Sequence, residues 1–198
     1  MAWAPDYVDL DTAGGDIQEF LRIDDSADDY WLGLAVSAAS RTLDRHCRRQ
    51  FGRTDELEER RYRVRYNRSQ DLYVADVDDV MDTTGLTVNG QALSGVELLP
   101  SNAVGNQKPW TQLVIPDDVR LALDRPFVDV AARWGWLAIP EIAEQATAIQ
   151  AGRLASRRNA LFGVAGSPDA GSEIRLLARL DPDVAVMANV LRRNTRPR

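Results

Sequence analysis

The only histidine of the 198-residue chain, His46, stands directly before its only cysteine, Cys47. Such a pair suggests thiolate–imidazole catalysis, in which a histidine takes the proton of a nucleophilic cysteine. Adjacent residues on a helix point about 100° apart, however, so these two side chains cannot serve as a nucleophile and its base. The sequence therefore predicts that Cys47 is a core cysteine and that His46 is a structural or solvent-facing histidine.

Two groups of aspartates are the other candidates for chemistry. They are Asp24, Asp25, Asp28 and Asp29, and then Asp76, Asp78, Asp79 and Asp82. The first group lacks the turn glycine and the closing glutamate of a calcium loop. A helix start explains it, because carboxylates suit the positive end of the helix dipole. The second group could hold a hard cation on a loop, but the favoured prediction is no metal and no cofactor.

Motifs for nucleotide binding or acyl transfer are absent from the sequence. The chain has no lysine-bearing glycine loop, no GxGxxG and no GxSxG, and one histidine is too few for a further triad. Trp134-Gly135-Trp136 could form a stacking platform for bases, although packing against the helices is the favoured interpretation. The sequence thus predicts that the protein is not an enzyme.

The longest periodic element is a helix predicted over residues 26–52. Its apolar residues recur at steps of four and three and would share one face; they are Leu32, Val36, Ala39, Leu43, Cys47 and Phe51. Ser26 and Asp29 have the spacing of a capping box, and Gly52 can take the left-handed conformation that ends a helix.

The elements after this helix are predicted from changes in the spacing of apolar residues. Arg61, Arg63 and Arg65 alternate with aromatic and apolar residues, which predicts a strand with a cationic outer face. Short strands are predicted over 72–75, 86–88, 96–99, 112–115 and 127–133, and Asn89-Gly90 predicts a tight turn. A second helix is predicted from Pro140 to about residue 158. Its row Ile142, Ala146 and Ile149 continues to Arg153. A short third helix is predicted to begin at Asp181-Pro182, a cap residue followed by a proline at the first helical position.

These elements predict an α+β fold. The expected architecture is a helical core, made of the long first helix, the helix near 140–158 and the short C-terminal helix. A small antiparallel β subdomain is expected as an insertion over residues 60–135. The chain is predicted to be a single domain over 1–198, with a glycine-rich arm and a basic C-terminal segment over 159–198.

Charge is distributed unevenly along the chain. Residues 1–29 carry nine acids and one arginine, a net charge of −8, whereas residues 153–198 carry nine arginines and four acids, a net charge of +5. This polarity suits a protein whose ends meet different surfaces, although a solvated acidic start and basic tail is an equal alternative. No apolar run approaches a membrane span and no signal-peptide pattern opens the chain, which predicts a cytosolic protein, at least when it is made.

Five stretches of the sequence resemble head-to-tail connector proteins, also called adaptor or head-completion proteins, of long-tailed, siphovirus-type bacteriophages. They are FLRIDDSADD leading into SAASRTLDRHCRRQFG, VDDVMDTTGLTV, LLPSNAVGNQKPWTQLVI, VAARWGWLAIPEIAEQATAIQAGRL and FGVAGSPDAGSEIRLLARLDPDV. The specific feature is their joint order, with Trp-Gly-Trp leading into Pro140 and a glycine-rich loop before LLARLDPD. The resemblance covers about residues 20–184.

The resemblance implies a structural virion protein. Proteins of this kind form a ring of copies, usually twelve-fold, beneath the capsid portal protein. The ring extends the DNA channel and joins the head to a stopper or tail-completion protein, and the genome passes without sequence-specific binding. The implied location is the head–tail junction of the virion, after assembly in the host cytoplasm. The implied function includes no catalysis and no cofactor.

Arginines are the candidate contact residues under this interpretation. Portal contact is predicted for the basic residues of the C-terminal arm: Arg175, Arg179, Arg192, Arg193, Arg196 and Arg198. Contact between subunits is predicted for Arg61, Arg63, Arg65 and Arg153. The alternatives are another neck or tail component, such as a stopper or tail terminator, and a nucleic-acid-binding protein that uses the strand arginines and the basic tail.

Overall fold

The structure is a computed structural model that describes residues 4–9, 29–69, 71–92, 97–116, 120, 126–157, 164–165, 174–175 and 180–193. Its Cα positions form two compact units. The sheet unit comprises Met1–Ala4 and Phe51–Ala138, and the helical unit comprises Pro5–Gln50 and Ile139–Arg198.

A five-stranded antiparallel sheet fills the sheet unit. Its strands are β1 (Glu58–Asn67), β2 (Leu72–Val88), β3 (Leu98–Leu99), β4 (Trp110–Val114) and β5 (Phe127–Trp134). The strand order is β1-β5-β2-β4-β3, and β1 also pairs with β2. Each of β1, β2 and β5 therefore pairs with the other two. The 17-residue β2 makes this possible, because it bends at register shifts between Asp76 and Val80, between Val80 and Asp82 and between Asp82 and Thr87.

The main hydrophobic core lies in this sheet. Thirteen buried residues form one cluster around the fully buried Trp134. The largest cluster described between the helices holds six, most of them on the first helix. The predicted architecture, a helical core with a small inserted β subdomain, is therefore wrong, because the sheet forms the dominant core.

The aspartates of β2 explain this error. Residues 76–82 were expected to form a loop, but they continue the strand. Val77 and Val80 enter the core, whereas Asp76 and Asp78 meet arginines of β1. These two carboxylates are tolerated in the strand because each finds an opposite charge on the neighbouring β1. The prediction of short strands over 72–75 and 86–88 thus found only the two ends of one long strand.

The helical unit contains α1 (Asp29–Cys47), α2 (Glu141–Ser156) and α3 (Pro182–Leu191). The predicted apolar row is confirmed for the five members that lie on α1, Leu32, Val36, Ala39, Leu43 and Cys47, which are all buried; the sixth, Phe51, is buried in the sheet unit. The helix stops before the predicted Gly52 because Arg48 takes a positive φ of 56°. Two short paired strands, β6 (Val164–Ala165) and β7 (Ile174–Arg175), also belong to this part of the chain.

Helix α2 packs through small side chains. Ala143, Ala146, Thr147, Gln150 and Ala151 are among its buried residues, and Ala151 joins the cluster with α1. The predicted row beginning at Ile142 is wrong at that residue, which is 37% exposed. At the start of α3, the Asp181 side chain accepts a hydrogen bond from the backbone N–H of Asp183 at 2.9 Å, which confirms the predicted cap.

Candidate interaction surfaces

The histidine and cysteine at the end of α1 hold α3 in place. The Cys47 thiol donates to the Ala188 carbonyl oxygen across 3.4 Å, and His46 Nε2 lies 3.1 Å from Asn189 Oδ1. Burial raises the pKa of Cys47 to about 12, so the thiol is not a nucleophile near neutral pH. The prediction that Cys47 is a core residue is confirmed.

The aspartates of β2 are engaged with side chains of the sheet unit. Asp76 accepts two hydrogen bonds from Arg65, at 2.7 and 2.8 Å, and Asp78 accepts one from Arg60 at 2.7 Å. The buried Asp79 accepts from the Trp136 indole at 3.0 Å. Within the described residues, no group of three or more histidine, cysteine or acidic side chains could hold a metal ion.

The pair Trp134 and Trp136 belongs to the core of the sheet unit. The Trp134 ring packs against Tyr62, with centroids 5.3 Å apart, and the Trp136 ring packs against Phe51 at 5.4 Å. Both indoles are almost fully buried. These ring partners lie in the sheet unit, whereas packing against the helices was predicted. Neither indole offers an exposed face on which a base could stack.

The cationic face of β1 is largely neutralised by neighbouring strands. Arg61 donates to both oxygens of Asp129, at 2.7 and 2.9 Å, and its hydrogen bonds lower the pKa of that carboxyl. Arg65 is paired with Asp76 in the same two-point geometry. Two of the three arginines on this face therefore have partners within the chain, which leaves little positive charge for a phosphate backbone.

Arg63 is the exception on this face. Its side chain is exposed, and no hydrogen bond or ion pair joins it to another residue of the described ranges. In the register of β1 and β5 it stands opposite Phe127, which is also exposed. An arginine beside an exposed aromatic residue is a composition that protein interfaces favour. The assignment of Arg63 to a subunit interface stays a prediction.

Arg153 ties two helices of the helical unit together. It donates to Asp181 Oδ2 at 2.6 Å, and Asp181 is the residue that caps α3. Both side chains of this ion pair are partly buried. The contact of Arg153 with another subunit stays a prediction.

The arginines predicted to contact the portal are only partly described. Arg192 and Arg193 directly follow α3, and the Arg193 backbone N–H donates to the Cys47 carbonyl oxygen at 2.8 Å. Arg175 lies on β7. Arg179, Arg196 and Arg198 lie outside the described residues. Portal contact by these residues stays a prediction.

Two apolar faces on the helices are exposed, and neither was predicted from the sequence. The aromatic face consists of Tyr30, Trp31 and Leu34 on α1, which are 69%, 49% and 47% exposed. The valine face consists of Val186 and Val190 on α3, which are 69% and 63% exposed. The sequence of α3 itself indicated an exposed apolar face, because Asp183 is its only charged residue. A helix that is apolar on every side is ordinarily covered on every side.

In the described part of the chain, no helix combines the length and apolarity that a membrane crossing requires. A comparison with models of known protein families gives no match, and a comparison with curated proteins gives none either.

Proposed function

We propose that this chain is a structural subunit of a phage neck, a head-to-tail connector protein of a long-tailed bacteriophage. In this proposal, copies of the chain form a ring beneath the portal protein, extend the DNA channel and join the head to a stopper or tail-completion protein. The proposal assigns the protein to the head–tail junction of the virion. It requires no catalytic step and no cofactor.

The sequence resemblance is the first support for this proposal. The resembling stretches include α1, much of β2, the turn from Trp134 to Pro140, and the chain leading into α3. These are the segments on which both units are built.

The observation that carries the proposal is the contrast between charged and apolar side chains. Side chains that could act as a nucleophile, an acid or a base, such as Cys47, Asp78 and Asp79, are engaged in contacts within the chain. Large apolar side chains are instead exposed on the outer sides of α1 and α3. Exposed apolar patches mark surfaces that other proteins cover, so this distribution favours a building block of an assembly.

Charge supports the passage of DNA without attachment. The chain has a net charge of −6, and Arg61 and Arg65 are already paired with aspartates. A ring of such subunits repels the phosphate backbone on average, which lets DNA slide through a channel. A sequence-reading protein would instead present free arginines to base edges.

Negative-stain microscopy of the protein mixed with portal rings of the same phage tests this proposal. The expected result is an added ring of density on one end of each portal. Portal rings that stay unchanged at micromolar protein would overturn the proposal, as would virions that lack the polypeptide. A salt-dependent gel shift of duplex DNA would instead favour the nucleic-acid-binding alternative.

A truncated chain tests the predicted portal contact. Deletion of Asn194–Arg198 removes Arg196 and Arg198, and we expect portal binding to weaken at least tenfold. The matched control is a chain with Arg45→Gln and Arg68→Gln, which loses the same charge from two other exposed positions. Undiminished binding by the truncated chain would remove these arginines from the portal contact, while the microscopy above tests the connector role separately.

A further inference from the structure

The valine face of α3 is not explained by the stability of its own helix. Val186 and Val190 are about one helical turn apart, and they are 69% and 63% exposed. Val184 and Ala188 already form the buried side of α3. Valine is also a weaker helix former than alanine, leucine or lysine, so its use at two exposed positions does not stabilise the helix locally. A contact with another surface explains the two valines.

Opposite charges stand at the two ends of the valine face. Asp183 is exposed in the first turn of α3, and Arg192 is exposed directly after the last residue of the helix. Arg193 follows it and is partly buried. The exposed Asn189 lies beside the valines, with its Oδ1 3.1 Å from His46 Nε2. The exposed side of α3 is thus acidic at its start, apolar in its middle and basic at its end.

A neighbouring acid does not change this order of charges. Asp181, which caps the start of α3, already accepts a hydrogen bond from Arg153 at 2.6 Å. Asp183 is therefore the exposed acid at this end of the helix. At the other end, the contact of Cys47 with Ala188 brings up the last turn of α1, where the exposed Arg45 adds a further positive charge.

A two-fold rotation makes the exposed side of α3 complementary to itself. Val186 and Val190 have their midpoint at residue 188, and the midpoint of Asp183 and Arg192 lies within one residue of it. A two-fold axis at this height lays Val186 of each copy on Val190 of the other and brings Asp183 of each copy near Arg192 of the other. Self-complementarity of this kind is what a two-fold interface requires. A parallel pairing would instead bring like charges together.

We propose that the occupant of the valine face is the valine face of a second copy of this chain, with the two α3 helices antiparallel. Each copy contributes one helix of 10 residues. Such a contact is smaller than a standard protein interface, so the dimer is weak and forms at high protein concentration. The inference goes beyond the proposed function. A two-fold contact closes on itself, so it is separate from the head-to-tail contacts that a ring needs.

Charge reversal tests the orientation of the two helices. In sedimentation equilibrium, the molar mass of the unaltered protein should rise from one chain toward two between about 10 µM and about 1 mM. Asp183→Arg alone and Arg192→Asp alone should each weaken the dimer about tenfold, because both charge pairs across the axis become like-charged. An equimolar mixture of the two variants should regain association, because both pairs are then of opposite charge. A chain that carries both substitutions should regain it as well.

Matched controls carry the same changes of charge at other exposed positions. Glu56→Arg and Arg68→Asp lie in the sheet unit, and they should leave association unchanged, both alone and mixed. Val186→Gln should weaken the dimer without a change of charge. Ile142→Gln, at a position of α2 that is 37% exposed, is its control. Circular dichroism checks that each variant is folded.

Disulfide trapping locates the contact. One protein carries Val186→Cys, a second carries Val190→Cys, and each is incubated alone and mixed under mild oxidation. The native Cys47 is buried and does not compete. We expect the mixture to form the cross-linked dimer several times faster than either protein alone, because the antiparallel pairing lays these two positions on each other.

Several results would overturn the inference. An unaltered protein that stays monomeric at about 1 mM means that a different partner, or another segment of the chain, covers the valine face. Failure of the charge-reversed mixture to regain association excludes the antiparallel pairing, as does faster cross-linking of either cysteine variant alone. A protein that adds a ring to portals without forming this dimer contradicts the present inference only. A protein that forms the dimer and never joins a portal contradicts the proposed function only.

Discussion

A Cβ atom on Gly135 would lie 2.0 Å from the carbonyl oxygen of Gly52. The backbone of Gly135, at the end of β5, also has a φ of +115°, a value that other residues rarely adopt. Two backbone hydrogen bonds form at this point. The Trp136 N–H donates to the Gly52 carbonyl oxygen at 3.0 Å, and the Gly135 N–H donates to the Asp79 carbonyl oxygen at 2.6 Å. The end of β5 is therefore held against Gly52 by backbone contacts that leave no room for a side chain on Gly135.

Replacement of Gly135 by alanine should destabilise the protein strongly. The expected cost is about 3 kcal/mol or more in the free energy of unfolding, because backbone strain and a clash with backbone atoms act together. Gly90→Ala is the matched control, since Gly90 also has a positive φ, +75°, but open space around it. That variant should cost about 1 kcal/mol. Urea unfolding measures the stability of both variants. Equal losses of stability in the two would contradict the role given to the contact between Gly135 and Gly52.

The segment before α1 is held on that helix by a small buried network. The Tyr7 hydroxyl donates to Asp44, the Tyr7 backbone N–H donates to Ser40 Oγ at 3.1 Å, and Arg41 donates to the Pro5 oxygen at 2.6 Å. Burial raises the pKa of Asp44, while the hydrogen bond from Tyr7 and the charge of Arg41 oppose the rise. Tyr7 is thus the residue through which residues 4–9 are attached.

Tyr7→Phe should loosen this attachment. We expect a loss of about 1–3 kcal/mol, since a buried carboxylate loses a donor, and faster hydrogen exchange of the amides of residues 5–9. Tyr30→Phe is the control, because the Tyr30 side chain is largely exposed and its change should stay within about 0.5 kcal/mol. Unchanged exchange in the Tyr7 variant would show that the apolar ring alone holds the segment.

Asp82 gives the sheet unit a stability that depends on pH. Hydrogen bonds from Thr84, first from its side chain and then from its backbone, lower the pKa of Asp82, and the charges of Arg53 and Arg133 add to this. A carboxyl whose pKa is lower in the folded state stabilises the fold above its ordinary pKa, about 3.9. That contribution is lost as the pH falls through the folded-state value.

Asp82→Asn should therefore lower the free energy of unfolding by about 1 kcal/mol at pH 7. A hydrogen bond to a charged group contributes more than this when it is buried, but Asp82 is partly exposed. The difference from the unaltered protein should shrink as the pH is lowered below about 4, because the carboxyl then takes up a proton in the unfolded chain first, and at still lower pH in the folded protein as well. Urea unfolding between pH 3 and 7 measures it. A deficit that is constant over this range would show that geometry, not charge, makes the contribution.

The parts of the fold that one periodicity governs could be predicted from the sequence. The buried row of α1 and the cap of α3 each depend on residues within a few positions of one another. The alternation of β1 holds at Val64 and fails at Tyr66, which is 46% exposed. The continuous β2 could not be predicted, because Asp76 and Asp78 are tolerated in a strand through partners on other strands, Arg65 and Arg60 among them. Those partners depend on strand register, which local pattern does not determine.

The interaction surfaces were missed for a related reason. Arg61, Arg63 and Arg65 look equivalent in the sequence, and only the placement of Asp129 and Asp76 on neighbouring strands separates the paired ones from Arg63. The valine face carried a readable signal in the charge-poor sequence of α3. It was overlooked because a short apolar helix is also what a core element looks like.

The Cys47 thiol should be inert in the folded protein. With a pKa of about 12, only about one thiol in ten thousand is ionised at pH 8, and the sulfur is also buried. We expect iodoacetamide to modify the native protein no faster than the protein unfolds, so that urea near the unfolding midpoint raises the labelling rate by orders of magnitude. A chain with Leu34→Cys is the control, since its added thiol on the aromatic face should react at the rate of a free cysteine. Rapid stoichiometric labelling of native Cys47 would mean that α3 opens readily from the end of α1, because the contact with Ala188 is what covers the sulfur on that side.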